Sequence, residues 1–431
     1  MKNITYKGAC LVLSLLFVLS SYTDAKAELG DMGFFGGITE GKRLPKTTEI
    51  LLAESSKKAS KNAAQTMTYK EVLFLSGKPV EFEGQVSIKT SAKKEGEPVG
   101  TYTVTYDIEP SETTNPEASL TRNIVFTVNY REVGNQVIKD YEVKTWKEEA
   151  TVGETVYEVV PKQSFFGVSI LEDHTPGVVY YKGNLSKRAV YLSEDGKVTA
   201  ESSGDIYGYE SAWSNTETHR VNTGIFTDGW QMQYQERPSV SVNKTLQYSK
   251  NEPVAISFSG NYREVMQNQS GLLYDIFIKP QQFYDVESTG KAAVNTFNSF
   301  EQLIAPDLEY LKGHFAESDI KKLFAMQILS GGGQFYKPEQ AMTRGEFVTA
   351  LVKAVKLPIE VQEKKKTASG ASRKKEEVNI INVIFPDVTP DRAEYPYIMA
   401  AYKEGLAIGR SNGNFFIDAP IERQEALVLI L

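Results

Sequence analysis

Sulfur and imidazole are scarce in this chain. One cysteine and three histidines among 431 residues exclude zinc fingers, thiolate-held iron–sulfur clusters and a disulfide scaffold, each of which needs several such side chains at close spacing. An excess of positive charge is missing too: 48 Lys and Arg stand against 55 Asp and Glu, a formal net charge of -7, so no nucleic-acid partner is expected. There is no Walker loop, dinucleotide fingerprint, HExxH pair or EF-hand spacing. No cofactor, metal ligand or catalytic residue is therefore assigned. Past the N-terminus no apolar run reaches the roughly 20 residues needed to span hydrocarbon, so no integral membrane span is expected after the leader. What is present is 41% hydrophobic residues, enough to bury cores in a chain long enough for several domains.

The first residues read as an export signal. Lys2 and Lys7 precede an apolar run from Ala9 to Leu19, and Ala25-Lys26-Ala27 has small residues where a signal peptidase cuts. Cleavage after Ala27 removes Cys10 and leaves a secreted chain that relies on packing alone for stability. From residue 28 to 66 the composition is mixed, with Gly30, Gly33, Gly36 and Gly37 ahead of a Lys/Ser/Ala-rich stretch, and this reads as a tether.

Between residues 67 and 285 short runs rich in β-branched and aromatic residues alternate with turn formers. Tyr102, Val104 and Tyr106 show the period of two expected of a strand with one buried face. Such numerous strands without intervening helices predict a mainly β protein, an antiparallel sandwich-like region, followed by a helical module. KPVEFEG (78–84) recurs loosely as EPVAISFSG (252–260), and NYREVGNQ (129–136) more closely as NYREVMQNQ (261–269). Either two related β units or reuse of similar strand text accounts for this. The change to helix is expected to begin at Val294–Leu303, and helical spacing is clear at Ser318–Ala325 and Arg344–Val355. The charged stretch 359–380 reads as a linker.

Two C-terminal blocks share one grammar. APDL, HFAESDIKKLFAMQILSG, QFYKP and MTRGEFVTALVKAV are answered by FPDV, EYPYIMAAYKEGLAIG, NFFID and IERQEALVLIL. Gly331 and Gly409 are 78 residues apart, and Arg344 and Arg423, like Glu346 and Glu425, are 79 apart. Thr343 followed by Glu346 forms a capping-box pattern; Glu422 replaces the threonine in the second block. Gly331 and Gly409 suit left-handed helix caps. Arg344 and Arg423 lie in the first turn of a helix, where a carboxylate must offset the dipole, either an internal glutamate or one on a ligand. The final LVLIL run is expected to continue into further structure or to be covered by a partner.

These blocks resemble the S-layer homology family. Asp307 and Asp387 match its early aspartate, Phe315 and Tyr395 take its tryptophan place, Gly331 and Gly409 its turn glycine, and Thr343-Arg344-Gly345-Glu346 its closing motif. Composition, strand pattern and the two repeats together divide the chain into a signal peptide (1–27), the tether (28–66), the β region (67–285), one repeat at 300–358, the linker (359–380) and a second repeat at 381–431. The resemblance implies noncovalent attachment of a bacterial surface protein to a secondary cell-wall polymer, often one with acidic, pyruvylated sugars. Arg344, Glu346, Arg423 and Glu425 would then meet the polymer, with Phe315 or Tyr395 against a sugar ring. The family usually works with three repeats, so a further repeat, other S-layer proteins or another copy of the chain are candidate partners.

The β region is expected to be a structural, non-catalytic exterior domain of a secreted cell-wall or S-layer protein. Two alternatives stand beside this. One is a polysaccharide-active enzyme, with Asp205 and Glu210 as a guess for paired carboxylates; the other is a glycan-binding adhesin with Tyr207, Tyr209, Trp213 and Trp230 as an aromatic strip. His174 and His219 read as loop residues and His314 as a turn residue rather than catalytic ones.

Overall fold

The computed structural model describes residues 32, 34–53, 65–91, 97–111, 117–248, 262–277, 286–294, 298–306, 308–331, 333, 336–360 and 384–430. The leader, Asp307, the 252–260 echo and residues 361–380 of the linker lie outside these. The protein is mainly β, with an α-helical module at its C-terminal end.

The strands are β1 (Ile38–Thr39), β2 (Gln65–Leu73), β3 (Val80–Thr90), β4 (Val99–Pro110), β5 (Ala118–Val133), β6 (Gln136–Val152), β7 (Thr155–Val159) and β8 (Phe165–Thr175). They continue as β9 (Val178–Ser193), β10 (Gly196–Ser211), β11 (Ser214–Phe226), β12 (Gln231–Tyr248), β13 (Tyr262–Phe277), β14 (Val286–Ala293) and β15 (Ser299–Leu303). All belong to one antiparallel meander. β7 and β8 share the lane between β6 and β9. The short 3-10 turn at Pro161–Gln163 interrupts that lane, where proline has no N–H to give to a ladder. β14 and β15 likewise share the outer side of β13. Where it is described, the expected helical onset at Val294–Leu303 ends in an edge strand instead, because Ser299–Leu303 finds a ready ladder in Tyr262–Met266.

Tight hairpins hold the meander in register. Gly134-Asn135 and Gly153-Glu154 join β5 to β6 and β6 to β7, with Gly134 and Gly153 at φ 64° and 63°, the positive values that match the twist of paired strands. The sheet curls until its ends meet: β14 lies against β2, while β1 pairs with β2 and packs on β12 and β13. One continuous core fills the interior, from Met67 on β2 round to Ala292 on β14. On β5 the inward side chains include Leu120, Ile124, Phe126 and Val128, whereas Ser119, Thr121, Asn123, Thr127 and Asn129 alternate outward. The two NYRE segments occupy unlike places. The first ends β5 and turns into β6, while Tyr262–Gln269 of the second runs within β13, so the text repeat does not mark two equivalent β units.

Part of the stretch read as a tether is the inside of this barrel. Met32, Phe34, Phe35, Ile38, Thr39 and Leu44 are buried. The Phe34 ring lies 5.4 Å from Tyr141 on β6 and 6.0 Å from His219 on β11, so it spans opposite walls. Phe35 meets Tyr106 and Phe166 edge-on. The glycines that suggested a tether are what lets this segment through: a Cβ on Gly37 would sit 2.3 Å from the Tyr69 ring, and Gly36, at φ +97°, passes the Glu236 carboxyl. Lys42 then pairs with Glu210 at 2.5 Å.

Charge is buried at the same depth. Arg122 donates to Glu148 from Nε and Nη2 (2.7 and 2.8 Å) and to Glu71 from Nη1 and Nη2 (2.7 and 3.1 Å). Tyr69 adds a donor to Glu71, and Trp146 and Tyr191 donate to Glu148. The guanidinium also lies 4.6 Å from the centroid of the Phe35 ring. Such a network holds only because every oxygen and nitrogen in it is answered. β8, β10 and β11, which the hydrophobic alternation did not reveal, line this polar part of the interior with Glu172, Ser202, Glu217, His219 and Thr223.

The helical module comprises α1 (Glu317–Ala325), α2 (Arg344–Val355), α3 (Tyr395–Lys403) and α4 (Arg423–Ile430). A small core of Leu308, Leu311, Ile320 and Phe324 sits under α1. A larger one unites Val348 and Val352 of α2 with Ile398 and Ala401 of α3, Phe385 and Phe415. The closing helix of the first repeat therefore packs as part of the second.

The segment leaving the barrel interior joins the two regions. Leu52 bridges Ile359 in parallel, Ala53 N–H donates to the Ile359 carbonyl, and Ile359 N–H donates to that of Leu51. Lys356 donates to the carbonyls of Thr47 and Glu49, and Trp213 Nε1 to that of Ala354.

Candidate functional site

α2 begins with the expected capping box. Thr343 Oγ1 accepts from Glu346 N–H at 3.1 Å, and the Glu346 carboxylate accepts from Thr343 N–H at 2.9 Å. Glu346 is thus committed to the helix start. In the second repeat only half of that exchange survives, with Glu425 accepting from Glu422 N–H at 3.3 Å, because a glutamate in the threonine's place offers no hydroxyl close to the helix amides.

Arg344 is buried and committed to the structure. Its Nε donates to the Phe415 carbonyl at 2.8 Å, Nη1 to Glu425 at 2.7 Å, and the guanidinium lies over the Phe415 ring. Arg410 joins Glu425 from the other side at 3.0 Å. The Arg344–Glu425 ion pair clamps the first repeat onto the second. Arg423, at the matching place on α4, is exposed, and no ion pair to it occurs among the described residues.

Asp387 holds the aromatic turn of the second repeat. Its carboxylate accepts from the N–H groups of Phe415, Phe416 and Ile417 (2.8, 2.5 and 3.3 Å). Burial pushes its pKa up, but these donors outweigh that and hold it below the usual carboxylate value.

The aromatic and glycine expectations need correction. Tyr395 is 9% exposed inside the second repeat's core, so its ring is not open to a sugar, whereas Phe315 is 95% exposed and stacks on His314. The left-handed caps are Gln327 after α1, Lys356 after α2 and Gly405 after α3, at φ 56°, 58° and 72°. Ile328 N–H reaches back to Leu323 and Leu406 N–H to Ala401, closing the six-residue cap rings. Gly331 has a positive φ of 100° beyond the cap. Gly409 does not, and is glycine because a Cβ there would meet the Phe385 ring at 2.9 Å.

A cleft of about 510 Å³ opens between the two repeats and the segment that leaves the barrel. Lys353, on the last turn of α2, donates to Ser330 Oγ at 2.6 Å and lies 5.3 Å from the centroid of the Tyr397 ring. Lys356 faces the same cleft. Burial lowers the pKa of both, and Lys244 beside Lys356 adds to this, bringing Lys356 to about 8. The motif resemblance did not single out Lys353, Lys356 or Tyr397. A cationic pair three apart near the end of α2 was the available signal.

In the barrel the suggested enzymatic pair comes apart. Asp205 points outward and Glu210 inward to Lys42, opposite faces of β10 as their odd spacing requires. The aromatic strip also divides: Tyr207 and Tyr209 face out, Trp213 is at the junction with α2, and Trp230 covers Gly77. His174 and His219 lie on strands β8 and β11 rather than in loops, and they and His314 each sit beside a glutamate. No described helix is long and apolar enough to cross a membrane.

No curated protein and no solved structure matches the chain. The family described as the S-layer homology domain matches residues 311–348 and 384–427. These are the two blocks that Arg344 and Glu425 fasten together, and the C-terminal region of this protein carries S-layer homology domains, the mark of a cell-wall-associated surface protein.

Proposed function

We propose that this is a secreted surface protein held noncovalently to a secondary cell-wall polymer by its S-layer homology domains, with the barrel as a non-catalytic structural exterior domain of an S-layer or envelope. The observation that carries this reading is the pair of matched repeats, folded as one clamped module. The segment from Thr47 to Ala53 fastens that module to the barrel, so load on one region passes to the other through backbone hydrogen bonds. The test is cosedimentation of the intact exported chain with cell walls before and after chemical removal of their acidic polymer. Salt-sensitive binding lost on stripping is the expected result; equal sedimentation with both walls, or none with either, overturns it.

A second reading, glycan binding by the barrel exterior, is favoured by one cluster. Tyr209 lies opposite Tyr180 across the β9–β10 ladder, with ring centroids 6.1 Å apart, and Tyr207 follows on the same outward face. Loss of wall binding in Tyr207→Ala with the repeats intact would favour it.

A further inference from the structure

We infer that residues Thr47–Glu49 form a clasp that couples the two regions, so that the second repeat keeps its closed form only while the Phe34–Leu44 segment is seated in the barrel. The inference goes beyond wall anchoring, since it concerns the chain by itself with no polymer bound.

Three observations carry it. First, the second repeat borrows part of its core from the other region. Ile359, just beyond α2, is 3% exposed in the core that holds Ile398, Phe385 and Phe415. Its N–H donates to the Leu51 carbonyl at 2.9 Å, its carbonyl accepts from Ala53 N–H at 2.8 Å, and Leu52 packs against the same core. Withdrawal of Leu51–Ala53 would leave a buried N–H and C=O without partners, a larger cost than losing an exposed pair that water can replace.

Second, the clasp is held from both sides at once. From the barrel, Glu264 on β13 accepts from Thr47 N–H at 3.1 Å, Glu301 on β15 accepts from Thr48 Oγ1 at 3.2 Å, and Lys244 donates to the Pro45 carbonyl. From the module, Lys356 donates to the carbonyls of Thr47 and Glu49. Thr47 therefore gives its N–H to one region and its carbonyl to the other. Glu264 and Glu301 stand directly opposite each other on the β13–β15 ladder, a like-charge pair that is unfavourable by itself. Lys244 and Lys356 offset it, one from each region, so the arrangement closes only with barrel, segment and module all in place. Leu44 is buried and lies three positions before Thr47, so at most about 10 Å of chain joins the plug to the clasp. A displaced plug pulls directly on it.

Third, Lys356 occupies the left-handed cap of α2, at φ 58°. Glycine adopts that conformation without steric cost. A lysine there is accounted for by its amine, which reaches the clasp.

The test is amide hydrogen exchange on the intact chain without walls, with wall cosedimentation beside it. Lys356→Gly separates the clasp from the cap. If Lys356 only capped α2, glycine would leave Ile359 and Ala53 at least as well protected as before. Loss of the clasp is expected instead to speed their exchange about 10-fold, the effect of one charge-assisted hydrogen bond, and by reciprocity to speed Ile38 and Thr39 in the plug. Lys356→Arg is expected to keep most of the protection. From the other end, Gly37→Ala, whose Cβ would sit 2.3 Å from the Tyr69 ring, is expected to speed Ile359 although the two lie in different regions. Phe34→Leu serves the same purpose more mildly where the Gly37→Ala barrel does not fold. Unchanged exchange at Ile359 and Ala53 in Lys356→Gly, or in a plug variant whose Ile38 and Thr39 exchange faster, overturns the clasp and leaves wall anchoring standing. Faster exchange in a chain that sediments with neither wall sample upholds the clasp and removes the anchoring reading.

Discussion

The barrel and the helical module handle buried charge differently. In the barrel Arg122 stands between Glu71 and Glu148, every one of them buried, with Tyr69, Trp146 and Tyr191 supplying further donors. In the module Arg344 reaches a glutamate that keeps a quarter of its side chain in water, and Asp387 leans on backbone amides. The barrel can enclose charge because a closed sheet surrounds it on all sides, whereas two short repeats have a surface too close to exclude water. The lesson is about dependence: the barrel's single core fails or holds as a unit, while the module is a chain of local fastenings.

The severest way to break that contrast is Arg122→Ala, which leaves two buried carboxylates without their cation. A loss of about 3–5 kcal/mol is expected, read by urea denaturation of the barrel. A loss under 1 kcal/mol would mean that water reaches the network and that the two regions are alike.

Acid sharpens the same point. Burial alone would raise Glu148, but Arg122 holds it down at about 2, against an ordinary 4.5. A carboxylate depressed by folding adds stability that is complete above its ordinary pKa and is lost as pH falls through the folded one. The barrel's stability should therefore fall between about pH 4.5 and about pH 2, and Glu148→Gln should flatten that slope. Glu236 runs the other way. Burial and then Glu71 raise it well above the ordinary value, so its contribution is full below about 4.5 and is lost as pH rises. Glu236→Gln is expected to raise the urea midpoint at about pH 8 and to leave it unchanged near pH 3.5.

In the module Arg344→Ala should cost about 2 kcal/mol, the value of charged hydrogen bonds near a surface, seen as earlier melting of the helical signal with the barrel's transition unmoved. A matched pair of substitutions gives the smallest and cleanest comparison. Val348 is 2% exposed under the second repeat, while Leu427, in its place one repeat later, is 49% exposed. Val348→Ala should destabilise by about 2 kcal/mol and Leu427→Ala by less than about 0.5. A large cost at Leu427 would show that the apolar side of α4, with Val428 and Ile430 also exposed, is covered in solution.

The class of each region was legible because it depends on local period. Alternation along Tyr102, Val104 and Tyr106 reports a strand whatever it pairs with, and all three are buried. The capping text at Thr343–Glu346 fixes a helix start within four residues, and α2 starts there. Legibility failed where the interior is polar: Ser202, Glu217, His219 and Thr223 face inward on β10 and β11, so inside and outside look alike in composition. It failed again at Gly36 and Gly37, since a glycine passing Tyr69 at close range reads the same as one in a loose linker.

The sequence by itself determined the two repeats, the helix start at Thr343–Glu346 and the strands whose apolar residues alternate, because each is set by neighbours within a few residues. Only the tertiary structure decided that Phe34 and Phe35 fill the barrel, that Arg344 meets Glu425, 81 positions away, and that Lys353 faces a cleft walled by Thr47–Leu51. Those contacts join residues tens to hundreds of positions apart, and no periodicity within either partner carries their pairing.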